Sequence, residues 1–279
     1  MSEPADPRAP ATGDGRSRRR WPLVVGVLVV GVLAAGAVWW VRREPARPVT
    51  IDEAKRRTNP DATEPSAPTG APAAGVYEYQ GSGGEKLSVP PLSQAEGPTI
   101  PGTVEVLADG CWRFRIDFST NHWQTATSCR RGADLVETDG ETWQRWLVGP
   151  TAITNLTTSV CDPSMVLPAD RTPGQTWPAR CIATNDGIPG ETVSAGDYRF
   201  VGHEDVEVGG AAVPTVHFVR ERELSGTQQG KEQTDVWLTL DTGLTVRNRR
   251  SVEADADTII GKTTYTEVGE FVLTSLTPH

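Results

Sequence analysis

From residue 75 to the C-terminus, apolar and polar residues alternate with the period of two that a half-buried β-strand requires. Residues 112–118 alternate aromatic or aliphatic side chains with charged ones, and the same period recurs over 236–241. Glycine pairs and an Asp-Thr-Gly sequence separate such runs and are typical of turns. The sequence therefore predicts a mainly β fold, with 142–148 as the segment most compatible with a helix.

Composition divides the chain into four parts. Residues 1–20, rich in Pro, Ala, Gly, Asp and Arg, predict a disordered cytoplasmic tail. Residues 21–41 are a continuous apolar run. Residues 42–74 combine recurrent proline with alanine and threonine, which favours an extended, disordered linker. Residues 75–279 predict a β-rich domain that is long enough to bury a sizeable core.

The apolar run predicts a transmembrane helix. It begins at Trp21, ends at Val41, contains no charged residue and is bounded by Arg20 and Arg42. A helix of this length spans about 30 Å, which is the thickness of the hydrocarbon core of a bilayer. The membrane is therefore the first partner that the sequence predicts.

Two processing alternatives stay open beside a permanent anchor. Residues 35–37 (Ala-Gly-Ala) resemble a signal-peptidase site, and residues 17–21 resemble a twin-arginine export signal. The apolar run exceeds the roughly 7–15 residues of a usual cleavable signal, which favours retention of the helix.

The charges that flank the run orient it only weakly, because five basic residues precede it and six follow it by position 57. The arginines that precede it lie closer to it, and acidic residues dilute those that follow. The positive-inside rule and the cysteines of the C-terminal domain together favour a cytoplasmic N-terminus. We therefore predict a single-pass plasma-membrane protein of the cell envelope with an extracytoplasmic β domain.

The overall charge argues against two classes of partner. The chain carries a net charge of −9, and acidic residues outnumber basic ones within 75–279. Nucleic acids and anionic lipid headgroups attract basic surfaces. We therefore expect no nucleic-acid partner and no flat binding to anionic headgroups.

The four cysteines lie in the β domain, and an even number in an exported domain is typical of disulfides. Three pairings are possible. Pairing of nearest neighbours joins Cys111 to Cys129 and Cys161 to Cys181 and closes two loops of similar size, and we predict this pairing. Metal binding is the weaker alternative, because the spacing contains no CxxC and no histidine close to any pair.

No motif assembles a recognisable active site. The histidines are His122, His203, His217 and His279, and no GxSxG nucleophile elbow accompanies them. His122 lies in a polar segment that predicts a turn. Residues 81–86 are rich in glycine, but they lack the spacing of a phosphate-binding loop and predict a hairpin turn. We therefore predict no catalytic residue, no metal site and no cofactor, and the ligand-binding residues stay undefined.

The C-terminal part resembles a known family. Residues 197–200, 206–213, 216–219 and 234–247 are similar in sequence and order to strands of the lipoprotein-localisation superfamily. The resemblance covers roughly 190–275 and implies a curved antiparallel sheet, a half-barrel, whose concave side can hold acyl chains. The chain has no lipobox cysteine, which departs from those carriers. As a whole it also resembles actinobacterial single-pass membrane proteins of unknown function.

These observations predict a non-enzymatic, membrane-anchored envelope protein whose β domain binds an apolar or lipid ligand. The tryptophans of that domain predict core packing, with the lining of an apolar cavity as the alternative. A structural or interaction module with an envelope protein as partner is a second hypothesis. A hydrolase is a third, and it requires His203 or His217 to lie within hydrogen-bond reach of a serine and an acid.

Overall fold

The computed structural model describes residues 46–58, 69–107, 110–168, 170–258 and 261–279, which form almost entirely antiparallel strands. Within these residues one helix, α1 (Ile51–Arg57), precedes the strands. The strands are β1 (Gly75–Leu87), β2 (Leu92–Glu96), β3 (Thr99–Val106), β4 (Cys111–Ser119), β5 (His122–Arg131), β6 (Asp134–Val148), β7 (Thr151–Leu167), β8 (Thr176–Asn185), β9 (Glu191–Val208), β10 (Ala211–Gly226), β11 (Gln228–Thr239), β12 (Thr245–Thr258) and β13 (Gly261–Leu273). The prediction of a mainly β fold is confirmed.

The sheet closes on itself. Consecutive strands from β3 to β13 pair in order, and β1 joins the two ends because it pairs with β13 on one side and with β3 on the other. Twelve strands thereby form a closed antiparallel β-barrel. The remaining strand, β2, pairs with residues 83–87 of β1 beyond the end of β3.

The predicted half-barrel is therefore wrong. A half-barrel leaves unpaired backbone N–H and C=O groups along both outer strands, and such edges are templates for aggregation. Here residues 79–87 of β1 pair with residues 265–273 of β13. Local alternation predicts strands but not this pairing, because the two strands lie at opposite ends of the domain sequence.

The predicted membrane helix, residues 21–41, lies outside the residues that the structure describes, as does the predicted tail, residues 1–20. In the described part of the chain, no helix is long and apolar enough to cross a membrane. Within the described residues, that finding contradicts the prediction of a single-pass plasma-membrane protein.

A short helix occupies part of the range 42–74 that was predicted as a linker. Thr50 caps α1: its hydroxyl accepts a hydrogen bond from the Glu53 N–H, and the Glu53 carboxylate accepts one from the Thr50 N–H. Ala54 is buried, and Arg57 forms an ion pair with Asp117 of β4 at 2.7 Å. Residues 51–57 thus differ from the extended chain predicted there, because capping and packing outweigh the proline-rich composition.

The segment 142–148 belongs to β6, so the expectation that it is the segment most compatible with a helix is wrong. Its two tryptophans are three positions apart and therefore lie on opposite faces of the strand, because successive side chains of a β-strand alternate between its faces. Trp146 is buried and faces the interior of the barrel. Trp143 stacks against Trp123 of β5, with 6.3 Å between ring centroids.

Both predicted disulfides are confirmed. Cys111 bonds to Cys129, and Cys161 bonds to Cys181. Each bond joins residues that lie directly opposite each other on neighbouring strands, β4 with β5 and β7 with β8. Nearest-neighbour pairing in the sequence therefore corresponds to cross-strand pairing in the barrel.

We predict that removal of one disulfide destabilises the barrel without changing its fold. Cys111 and Cys129 are separated by 18 residues. A loop of this size corresponds to about 3 kcal/mol in the chain-entropy description of cross-links. Urea unfolding of the double variant Cys111→Ala/Cys129→Ala should show a loss of this order. The double variant Cys161→Ala/Cys181→Ala, with a separation of 20 residues, should lose a similar amount. A loss below about 0.5 kcal/mol in both would contradict the prediction.

Candidate functional site

The barrel encloses a cavity of about 630 Å³. Side chains alternate along each strand, so about every second residue of the twelve strands faces the interior of the barrel, and some of these residues line the cavity. A cavity of this size lies within the roughly 300–1,000 Å³ range of small-molecule sites. We call it the lumen.

Large side chains close one end of the lumen. Tyr77, Phe200 and Phe218 are fully buried there and belong to one hydrophobic core cluster. Residues 70–73 cross the same end: the Arg130 guanidinium donates to the carbonyl oxygens of residues 70 and 241, and the Tyr77 hydroxyl donates to the carbonyl oxygen of residue 73. These contacts fix a floor beneath the cavity.

The opposite end carries exposed apolar side chains. Val89, just after β1, is 41% exposed, and Ile153, near the start of β7, is 48% exposed, yet both line the cavity. Ile188, in the β8–β9 connection, lines the same end. These connections all lie at the end of the barrel opposite the floor. We therefore call this end the mouth of the lumen.

Two groups of charged side chains lie at the lumen; only Arg250 and Glu267 of the first group line the cavity, whereas every member of the second does. The first, which we call the glutamate–histidine cluster, consists of Glu85, Glu96, His122, Arg250 and Glu267. The second, which we call the arginine cluster, consists of Glu137, Tyr198, Arg220, Arg222 and Glu232. Charged groups are rarely buried unless they are paired, so each cluster points to a specific role.

In the glutamate–histidine cluster, three carboxylates converge on one imidazole nitrogen. His122 Nδ1 lies 3.5 Å from Glu85 Oε2, 3.5 Å from Glu96 Oε1 and 3.8 Å from Glu267 Oε1. These separations are longer than a good hydrogen bond. His122 is 1% exposed, and Nδ1 has no hydrogen-bond partner among the described residues.

Arg250 supplies the positive charge of this cluster. Its Nη2 lies 3.0 Å from Glu96 Oε1 and contacts Glu267 Oε1 more closely. The guanidinium also lies over the Phe118 ring, 3.7 Å from its centroid, a cation–π contact. One arginine thus faces three glutamates, which leaves an excess of negative charge when His122 is neutral.

Electrostatics reflects this excess. Burial raises the pKa of Glu85. Burial alone would lower the pKa of His122, but the negative charges of Glu85 and Glu267 outweigh it and raise that pKa. Burial would also raise the pKa of Glu267, but Arg250 and His122 outweigh it and lower that pKa. The cluster therefore attracts positive charge, either as a proton or as a cation.

The arginine cluster is a compact network on β6, β9, β10 and β11. Arg222 Nη2 donates to Glu137 Oε2 at 3.2 Å and to the Tyr198 hydroxyl at 3.0 Å, and that hydroxyl donates to Glu137 Oε2 at 2.5 Å. Arg220 contacts Glu137 and Glu232. Two arginines balance two glutamates here.

Several buried polar atoms of the lumen wall have no hydrogen-bond partner among the described residues. They belong to residues that line the cavity: Arg220 Nε, Arg222 Nε, Ser194 Oγ, Asn155 Oδ1 and Asn248 Oδ1. A buried polar group without a partner costs about 1–3 kcal/mol, so such atoms mark places where a bound molecule can contribute.

The other histidines do not form the arrangement that a hydrolase requires. His217 lies on the outer face, stacks on Trp237, and contacts Glu204 at 3.0 Å and Asp235 at 3.1 Å. His203 lies against the Phe200 ring. In the described part of the chain, no hydrogen bond joins a serine to either of these two histidines.

The hairpin turn predicted at residues 81–86 is wrong, and the turn predicted around His122 is confined to residues 120–121. Both assignments concealed members of the glutamate–histidine cluster. Residues 81–86 continue β1 and carry Glu85 inward. His122 begins β5 and is buried against Phe118, with 4.8 Å between ring centroids. The sequence position of Glu267 indicates a buried charge. Glu267 has the same alternating phase as Tyr265 and Phe271 and therefore faces the core.

No protein-family model, no curated protein and no solved structure matches this chain. The resemblance to the lipoprotein-localisation superfamily therefore stays a prediction. Function has to be argued from the lumen itself.

We predict that Glu137 makes the barrel sensitive to acid. Burial alone would raise its pKa, but Arg220 and Arg222 outweigh burial and hold the pKa below its ordinary value of 4.5. Because the folded-state pKa is depressed, ionised Glu137 contributes stability above pH 4.5, and that contribution is lost as the pH falls through the lower folded-state pKa.

Urea unfolding of Glu137→Gln and of the native protein tests this at neutral pH and near pH 3. At neutral pH the variant should be less stable by about 3 kcal/mol, as expected when one member of a buried ion pair is removed. The difference should shrink in acid. Glu105→Gln, which alters an exposed pair with Arg113, should cost less than about 1 kcal/mol at either pH. An equal difference for Glu137→Gln at both pH values would refute the assignment.

Proposed function

We propose that the barrel is a binding protein that carries a small, mostly apolar, uncharged molecule with one hydrogen-bonding group inside its lumen. The observation that carries this proposal is a cavity of about 630 Å³ with a floor, a mouth and buried polar atoms that lack partners on its wall. Apolar surface that leaves water for such a cavity contributes about 25 cal/mol per Å².

The position of the polar atoms supports a ligand with one polar group. Arg220 and Arg222 are two residues apart on β10, so both side chains enter the lumen from the same strand. Their Nε groups are donors, and the Ser194 hydroxyl on β9 is both donor and acceptor. A carbonyl or hydroxyl oxygen of the ligand can accept from these groups, while the apolar part of the ligand contacts aliphatic and aromatic side chains.

The charge of the lumen supports an uncharged ligand over an anionic one. The two clusters together contain five glutamates, residues 85, 96, 137, 232 and 267, and three arginines, residues 220, 222 and 250. All three arginines are already paired with glutamates, so a carboxylate or phosphate on the ligand would leave water without gaining an unpaired positive charge in these clusters, and that transfer is unfavourable.

The interaction-module hypothesis has weaker support in the described residues. Their exposed large apolar side chains are few, and two of them, Val89 and Ile153, belong to the mouth. Exposed apolar residues that occur singly are normal on a protein surface. We therefore favour the binding of a ligand in the lumen over the docking of a protein partner on the outer wall.

Fluorescence of an uncharged naphthylamine dye, which brightens in apolar surroundings, tests this proposal. We expect the dye to bind and to be displaced by decan-1-ol. Decanoate has a chain of the same length but a negative charge, and it should compete at least about tenfold less well, a difference of about 1.4 kcal/mol. No dye binding, or tighter competition by decanoate, would contradict the proposal.

A matched pair of variants locates the dye. Ala256 on β12 lines the lumen near the mouth, so Ala256→Trp should fill the path of the ligand and weaken binding at least about tenfold. Ser251 lies on the same strand but faces solvent, so Ser251→Trp adds the same side chain outside. Equal affinities of the two variants would place the dye outside the lumen.

A further inference from the structure

We propose that Glu96, His122 and Glu267 bind a single divalent cation inside the barrel wall. One donor atom from each side chain lies within 4.8 Å of the others, and all three residues are buried. Ligands at about 2.0–2.2 Å from a metal ion are separated from one another by about 3–4 Å. The distances of 3.5 and 3.8 Å from His122 Nδ1 to Glu96 and Glu267 match that spacing.

The state of His122 is the first independent reason for a cation. Its Nδ1 is buried, faces the carboxylates and lacks a hydrogen-bond partner among the described residues. The Gln124 side-chain amide lies 3.4 Å from Nε2. The amide atom at this distance is the nitrogen. A half-turn of the amide group exchanges its nitrogen and oxygen, and the oxygen then accepts the Nε2 proton. In that orientation the Nδ1 lone pair is directed at the cluster, which is the arrangement of a histidine ligand.

The strand register is the second reason. Glu85 and Glu267 lie directly opposite each other where β1 pairs with β13. Like charges at directly opposite positions destabilise a sheet. The Tyr265 hydroxyl lies 2.9 Å from a carboxylate oxygen of each, but its single hydrogen can serve only one of them at a time. A bound cation removes the repulsion between Glu85 and Glu267 that the single hydrogen bond from Tyr265 does not offset.

The backbone makes room for the third carboxylate. Glu96 belongs to β2, and its side chain reaches His122 and Arg250 across Gly83 and Gly269, which face each other on β1 and β13. A Cβ atom at Gly269 would lie 2.7 Å from Glu96 Oε2, and one at Gly83 would lie 2.9 Å from it. Because neither glycine has a side chain, the buried carboxylate of Glu96 fits here. Repulsion from the other carboxylates alone would exclude it.

The donor set indicates the class of ion. One imidazole and two carboxylates suit Zn²⁺, Fe²⁺ or Mn²⁺, whereas Ca²⁺ and Mg²⁺ prefer oxygen ligands alone. Three glutamates and one arginine leave two excess negative charges, which a divalent ion neutralises. Arg250 and Glu267 also line the lumen, so the mouth provides a route for the ion. The site does not depend on the identity of the apolar ligand.

Metal titration of the full-length protein tests the proposal. The protein is freed of any affinity tag and treated with a chelator, and Zn²⁺ and Co²⁺ are then added at neutral pH. We expect about one ion per chain, visible d–d absorption of bound Co²⁺, and a rise in the thermal unfolding midpoint with Zn²⁺. No binding, or binding without a stoichiometric site, would overturn the proposal and would assign the positive charge to a proton on the cluster.

Four variants locate the ion. His122→Gln and Glu96→Gln should each weaken Zn²⁺ binding at least about 100-fold. Gly269→Ala should weaken it as well, because the new methyl group displaces the Glu96 carboxylate while every ligand is retained. His217→Gln is the matched control, since His217 also lies between two carboxylates but on the outer face. Circular dichroism confirms folding, and Gly269→Ala keeps the test valid if His122→Gln fails to fold. Loss of binding in His217→Gln alone would overturn the site.

Discussion

The pairing of β1 with β13 is the interaction on which the rest of the structure depends. It joins residues 79–87 to residues 265–273 and turns a long antiparallel meander into a closed ring. Closure gives the interior a wall on every side, so a cavity can persist beside a packed floor. The same pairing brings Glu85 and Glu267 face to face and places two facing glycines where the Glu96 carboxylate lies. The cavity and its most unusual charged cluster therefore have one common cause.

The charges of the lumen link the two proposals. Arginines on β10 and β12 pair with glutamates from several other strands, and carboxylates remain in excess. Left alone, that excess disfavours burial. A divalent cation on the glutamate–histidine cluster balances it and leaves a lumen that is neutral as a whole. A neutral lumen with a few free hydrogen-bonding atoms and an apolar wall suits a ligand that is itself uncharged. The cation and the apolar ligand are therefore compatible in one barrel.

The sequence predicted what depends on local spacing. Alternation predicted the strands, and nearest-neighbour pairing of cysteines predicted both disulfides, because adjacent antiparallel strands bring such residues opposite each other. Closure could not be predicted, since it depends on a pairing between the two ends of the domain. Residues 81–86 were misassigned as a turn because their glycines suggested chain reversal. Gly81 instead permits close approach, as a Cβ there would lie 2.6 Å from the Glu270 carbonyl oxygen. The burial of His122 could not be predicted either, because strands that are distant in the sequence bury it.

Amide hydrogen exchange, followed residue by residue, tests the closed ring most directly. In a closed barrel, both β1 and β13 have hydrogen-bonded neighbours on each side. Their amides at 79–87 and 265–273 should therefore exchange as slowly as those of the interior pair β9 and β10. In an open sheet these two strands would be edges, and alternate amides along each would exchange rapidly. Slow exchange along both strands is the result that the account predicts, and rapid exchange at alternate positions would contradict it.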